Sequence, residues 1–344
     1  MTHEREITSM VDLCTVDGRR LNPAARGWSR HPFHRANLRG GWGRTKRWDY
    51  WAILAGDLVV SFLYADIDYL GLAEVWWVDL ATGRTGGGGV TRPLGIGMTL
   101  PDSPGSVPLR IDRPGFSLEI RDDSDLFTHV AASWTEQDGA PGRLSASIAT
   151  PPGHESLNVV IPWSDRRFQY TLKDQARPAT GELHIGDTTR WFGGDHDDAW
   201  GVLDVGRGRW PYSTRWNWGG GAGRVGPGGP VVGLQLGGKW TAGTGFTENS
   251  VTLDGRLTKI GDELVWDYDW NDPMRAWRVT DPGGRLDLVL TPRYDKHSRT
   301  SALLLATETH QIFGTWSGTV IPDDHDPILF EGLLGFAEES RSRW

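Results

Sequence analysis

The chain has 344 residues, a formal net charge of −8, 19 tryptophans against 4 methionines, and one cysteine, Cys14. The acidic balance argues against a nucleic-acid protein, which needs a basic stripe for phosphates, and one cysteine rules out an intrachain disulfide or a thiolate metal cage. No stretch approaches the ~18 apolar residues of a membrane helix and no signal-peptide pattern opens the chain, so a cytoplasmic protein without an integral membrane segment is expected.

In chain order, residues 1–30 are polar and without period. After Lys46-Arg47-Trp48-Asp49-Tyr50-Trp51, the residues Leu58, Val60, Phe62 and Tyr64 alternate with Val59, Ser61, Leu63 and Ala65. That period of two predicts a strand. Leu72, Glu74, Trp76 and Val78 predict the next, and Asp79 to Arg84 reads as a hairpin turn. Gly86 to Gly89 reads as a flexible loop; it follows no βα unit, so it is not a phosphate cradle. Short strands continue from 97 to 175, split by Pro- and Gly-rich turns at 101–105, 138–142 and 151–153. A domain boundary is expected around 170–178, giving β domains at 1–175 and 176–344. In the second half, His196 among Asp195, Asp197 and Asp198 reads as a solvated turn, because adjacent residues rarely converge on one ion. Gly219 to Gly229 reads as a Gly-rich loop, and further strands run to Phe330. No long stretch keeps a 3.6 period for three turns. The fold class is all-β: antiparallel, a sandwich or barrel.

The most informative stretch is Asp198 to Trp218, where Trp200, Trp210, Trp216 and Trp218 lie among Asp204, Arg207, Tyr212, Arg215 and Asn217. At strand spacing, Trp200, Val202 and Asp204 share a face. A carboxylate on an aromatic face is either paired or pushed toward its neutral form. Asp204 therefore either pairs with Arg207 or Arg215 at a sheet corner, or is the tuned acid of a pocket. In Gly237 to Asn249, Lys239, Glu248 and Asn249 sit among glycines beside Trp240. They form either a turn with an ion pair or part of a site. His310 shares a face with Ile312 and Trp316, as a satisfied core histidine or a general base. In the charged tail, Glu338 could close a pocket. There is no Gly-x-Ser-x-Gly elbow, Walker loop or Rossmann fingerprint.

Taken together, Lys46 to Trp51, Ala65 to Ala73, Gly206 to Tyr212, Arg215 to Trp218, Leu236 to Thr241, Thr247-Glu248-Asn249 and Gly335 to Glu339 resemble the bacterial domain-of-unknown-function 2804 family, from about residue 14 to 344. Ala242 stands where that family usually has Asp. More distantly, the chain is similar to the two-domain lipocalin-like group of carotenoid hydratases, related polyketide cyclases and fungal lipid-binding survival factors. That likeness implies two lipocalin-like barrels packed together, a ligand cavity at or between them, and work on apolar small molecules without a cofactor or metal. No catalytic residue carries over from it.

Three functions follow. The first is a cofactor-independent hydratase, lyase, isomerase or cyclase acting on an apolar small molecule. There Asp204 or Glu248 would protonate the substrate, and Arg215, Lys239 or Tyr212 would steady a developing anion. Trp200, Trp210, Trp216, Asn217, Trp218, Trp240, Asn249 and His310 would hold the ligand. The second is a lipid or terpenoid carrier. The third is a glycoside hydrolase with paired carboxylates. Exposed sheet edges would allow a homodimer.

Overall fold

The computed structural model describes residues 2–124, 126–302 and 305–343. Among the described residues the one helical element is the 3-10 turn Pro23–Ala25, and no helix is long and apolar enough to cross a membrane. The strands form two large antiparallel sheets and a small parallel pair, Val11–Asp12 with His34–Arg35.

The N-terminal sheet begins with a meander, Thr45–Ala55, Leu58–Asp66, Leu70–Asp79 and Thr85–Pro93. A second run comprises Leu109–Arg113, Phe116–Asp122, Phe127–Thr135 and Pro141–Ala149. Phe168–Ile185 and Ala199–Arg209 join the two, and Ala199–Arg209 pairs along its whole length with Thr45–Ala55. The sheet curls until its ends meet. Glu136, just past Phe127–Thr135, accepts from the indoles of Trp77 and Trp134 and from the Gly87 N–H. Alternate residues fill the interior, among them Trp51, Ile53, Val60, Phe62, Leu118, Val130, Leu144, Leu203 and Val205.

The C-terminal sheet runs in spatial order Arg256–Ile260, Asn249–Leu253, Val231–Gly238, Ser213–Arg224, Ile328–Arg343, Leu305–Val320, Leu286–Ala302, Trp277–Thr280 and Val265–Asp267. It also curls, with the Trp266 indole donating to the Gly237 carbonyl at 3.2 Å. Leu234, Leu236, Val279, Leu288, Leu290, Ile312 and Trp316 fill it. The interior of the second barrel is thus an apolar core, and that of the first holds a cavity of about 230 Å³ among Trp51, Ile120, Leu172 and Leu203. The two barrels meet through their outer faces, where Ala52, Leu54, Val59 and Val202 of the first pack on Trp218, Phe313 and Phe336 of the second. The all-β, two-barrel expectation holds.

Three details differ from the sequence reading. The division at 175 and 176 falls inside an 18-residue strand, bent where Ala176 takes φ 61°. Cross-strand pairing keeps residues 168–209 in the first sheet, and the second begins at Ser213. Gly86 to Gly89 lie in a strand, not a loop. So do Gly219, Gly220, Gly221 and Gly223. Glycine gives no alternation to read, and here its use is steric. A Cβ on Gly88 would stand 2.7 Å from the Trp134 Cβ, and one on Gly220 would stand 2.6 Å from Phe336 Cζ. These strands are thinned so that aromatic rings can lie against them.

Candidate functional site

Where the outer faces part, they leave a cavity of about 360 Å³. The first sheet contributes Trp48, Tyr50, Thr171, Lys173 and Asp204; the second contributes Trp216, Trp218, Gln311 and Glu338; Trp210, Trp240 and Glu248 close one end. The parity of Ala199–Arg209 explains Asp204. Leu203 and Val205 point into the barrel, so Val202 and Asp204 point out toward the second sheet.

Lys173 is the centre of the charged cluster. It lies directly opposite Asp204 in the strand register. Its Nζ is 2.9 Å from Asp204 Oδ1 and 3.4 Å from Glu248 Oε2, and it stands 4.3 Å from the centre of the Trp218 ring. Asp204 also accepts from the Trp48 indole (3.1 Å) and the Thr171 hydroxyl (3.3 Å). Glu248 accepts from the Trp240 indole through Oε1, while its buried Oε2 takes no hydrogen bond and faces the ammonium. Glu338 accepts from the Trp216 indole at 2.7 Å. An ammonium, indole N–H groups and the Thr171 hydroxyl are thus the donors around three carboxyls.

Burial sets the protonation of this cluster. It pushes Glu248 up to about 7, against the pull of Lys173. Burial likewise pushes Glu338 up to about 7, against the Trp216 hydrogen bond and Lys173. For Lys173, burial alone would lower the pKa, but Asp204 and Glu248 outweigh it and hold the ammonium charged. Lys173 pairs with Asp204 and Glu248, and Lys296 on the far wall pairs with Glu74, so burial prevails at Glu248 and Glu338 and favours their protonated forms.

The walls are indoles. Trp210 stacks on Trp240 with ring centres 5.5 Å apart and planes 8° apart. Trp48, Trp163 and Trp216 pack around Trp210 at 5.7, 5.2 and 5.8 Å. Trp218 packs edge-on against Phe336 at 4.5 Å and gives its N–H to Gln235. Trp48, Trp210, Trp216, Trp218 and Trp240 line the cavity; the indoles of Trp48, Trp216 and Trp240 donate to Asp204, Glu338 and Glu248, and those of Trp210 and Trp218 to Gln169 and Gln235.

Of the residues singled out in the sequence, Asp204, Glu248, Glu338, Trp210, Trp216, Trp218 and Trp240 come together on this cavity. The others stand elsewhere. Arg215 is exposed, and Tyr212 is 42% exposed with Arg44 over its ring. Trp200 packs on Ala176 and Ala222 between the barrels. Lys239 pairs with Glu339 at 3.1 Å, not with Glu248, and Asn217 bonds Tyr268 beside it. Asn217 lies on the inner side of the C-terminal sheet because its parity is opposite to that of Trp216 and Trp218, whereas Lys239 follows the strand end at Gly238 with φ 67° and so leaves the alternation. Asn249 holds the Gly237 N–H and the Asp262 carbonyl. His310 bonds Asp295 on the face away from the cavity. The expected pairing of Asp204 with Arg207 or Arg215 does not form. Arg207 has inward parity and pairs with Asp49 at 2.7 Å.

The sequence reading missed Lys173. In Phe168 to Lys173, the polar residues Gln169, Thr171 and Lys173 alternate with Phe168, Tyr170 and Leu172, the pattern of a solvent face. A second sheet packed over that face buries it, and no local pattern announces this. Residues from both halves build the cavity.

A family model described as "Domain of unknown function (DUF2804)" matches residues 4–344. No curated protein matches the sequence. Among solved structures, the chain resembles kievitone hydratase from Nectria haematococca with a TM-score of 0.52 and 11% identity, covering 87% of this chain and 89% of that one. It also resembles an AttH-type protein from Nitrosomonas europaea with a TM-score of 0.50 and 13% identity, covering 86% and 92%. At such identities the likeness is one of fold, a pair of antiparallel barrels.

Proposed function

From membership of the DUF2804 family, to which this chain belongs, and from the cavity's geometry, we propose a cofactor-independent general-acid enzyme of the hydratase or lyase type acting on an apolar small molecule. The observation that carries the reading is the pair of carboxyls, Glu248 and Glu338, held near neutrality beside Lys173 in an indole-walled cavity. The activity named for the fungal structural neighbour points to the same reaction class.

In this scheme the protonated Glu248 gives its proton to one carbon of a substrate double bond. Water adds to the neighbouring carbon and loses a proton to a carboxylate of the cluster, with Asp204 the acceptor beside Lys173. The sum is addition of one water, and the reverse is elimination. Lys173 keeps negative charge from accumulating as the proton moves, the role first sought in Arg215, Lys239 and Tyr212. Trp218, Trp210 and Trp240 hold the apolar body, and their faces stabilise positive charge developing on carbon. A placed acid of this kind contributes roughly 10²–10⁴-fold.

The test is turnover of a panel of apolar alkenes and tertiary alcohols in ¹⁸O-labelled water, with Glu248→Gln, Glu338→Gln and Asp204→Asn compared with the native chain by mass spectrometry. Label in the product, lost in folded Glu248→Gln, supports the scheme. A co-purifying apolar ligand that the native chain never alters would replace it with the carrier reading. The glycoside-hydrolase reading has less support, because the Lys173 ammonium fills the gap between Asp204 and Glu248 where a glycosidic oxygen would sit.

A further inference from the structure

The hairpin Leu286–Ala302 and Leu305–Val320 has two faces. Lys296, Ser298, Thr309 and Gln311 line the cavity. The opposite face carries Asp295, His297, Glu308 and His310, one step beyond the interior residue Ile312. His297 and His310 are directly opposed in register, with rings parallel to within 2° and centres 4.1 Å apart. Glu308 Oε1 lies 3.2 Å from His297 Nε2. One donor atom from each of His297, Glu308 and His310 falls within 4.8 Å of the others, and among the described residues no other such group forms.

A second observation separates this cluster from a chance one. His310 is buried and already oriented. Its Nδ1 is 2.8 Å from Asp295 Oδ2, so Nδ1–H donates there and the Nε2 lone pair is left for a ligand. This carboxylate–imidazole arrangement is how a metal-binding histidine is aimed and made more basic. The Trp270 ring stands edge-on to His310 at 4.6 Å and is itself capped by Arg341, which fixes the imidazole from the other side. Arg341 faces Glu308 in register, yet its Nε is spent on Glu339 at 2.8 Å. His297 is exposed and Glu308 half-buried, so both can turn in from their present spread toward the ~3.3 Å donor spacing of a tetrahedral ion with ~2.0–2.1 Å bonds.

We propose that His297, His310 and Glu308 bind a divalent transition ion of the zinc class. Two imidazoles and one carboxylate favour zinc, cobalt or nickel over magnesium or calcium, which prefer all-oxygen shells. The ion ties the two strands of the hairpin together on the face behind the cavity wall, and its remaining position opens to solvent. The site is distinct from Lys173 and its carboxyls and does not depend on the proposed reaction.

The experiment is titration of the chelator-treated full chain with Zn²⁺ by calorimetry and with Co²⁺ by visible absorption, alongside Mg²⁺. The expected result is one Zn²⁺ per chain, a tetrahedral Co²⁺ spectrum displaced by Zn²⁺, and no response to Mg²⁺. His297→Ala, at an exposed position, should abolish binding with an unchanged metal-free melt. Asp295→Asn should weaken it roughly 10–100-fold. Glu248→Gln should leave it intact. Absence of Zn²⁺ binding by the native chain, or binding that survives in folded His297→Ala, would overturn the assignment.

Discussion

Replacing Glu248 by Gln should flatten the pH dependence of stability. Burial raises the folded-state pKa of Glu248 to about 7 from 4.5. A raised carboxyl binds its proton more tightly in the folded state, so its contribution is intact below about pH 4.5 and is lost as pH rises through about 7. At ~1.4 kcal/mol per pH unit of difference, the native chain should lose about 2.5 kcal/mol between pH 5 and pH 8 through this one group. Gln keeps the oxygen that accepts from the Trp240 indole and has the same shape, so packing is preserved. Its amide would face Lys173, now 3.4 Å from Oε2, at a cost that does not vary with pH. The slope is therefore the diagnostic, not the absolute stability. Urea denaturation at pH 5, 6, 7 and 8, with ΔG extrapolated to water, reads it directly. Native and Glu248→Gln curves that run parallel would refute the view that Glu248 carries a proton at neutrality, and with it the acid assignment.

Other outcomes follow from the same geometry. Lys173→Met strands Asp204 and Glu248 together in a buried site and should cost about 3–5 kcal/mol near pH 8, with partial recovery on acidification as the carboxyls take up protons; a loss under ~1 kcal/mol by denaturant melting would contradict a buried pair. Trp240→Phe removes the N–H that pulls Glu248 down, so the pH at which stability falls should move upward, as followed by the same melts. Trp216→Phe should do the same for Glu338, and combining it with Glu248→Gln isolates the effect. Gly220→Ala forces a methyl to within 2.6 Å of Phe336 and should cost about 1–3 kcal/mol, lowering the melting temperature where the barrels meet.

The composition and alternation of the chain determine an all-β fold, and the resemblance carried by its motifs points to paired barrels. The first rests on local physics, period-two burial and turn glycines; the second rests on the likeness alone. Asp204 and the tryptophans around it were legible as a face because alternation fixes which residues point together. That Asp204 meets Lys173 was not legible. Their contact depends on the register between Phe168–Ile185 and Ala199–Arg209, and on a second sheet closing over a polar face that would otherwise be wet. The same closure set Glu248 and Glu338 near neutrality, while pairing within each sheet made strands of the glycine runs and brought Lys239 to Glu339 instead of Glu248. Alternation is written residue by residue along the chain, whereas desolvation belongs to whatever surface arrives opposite, and only the packed pair of sheets decides it.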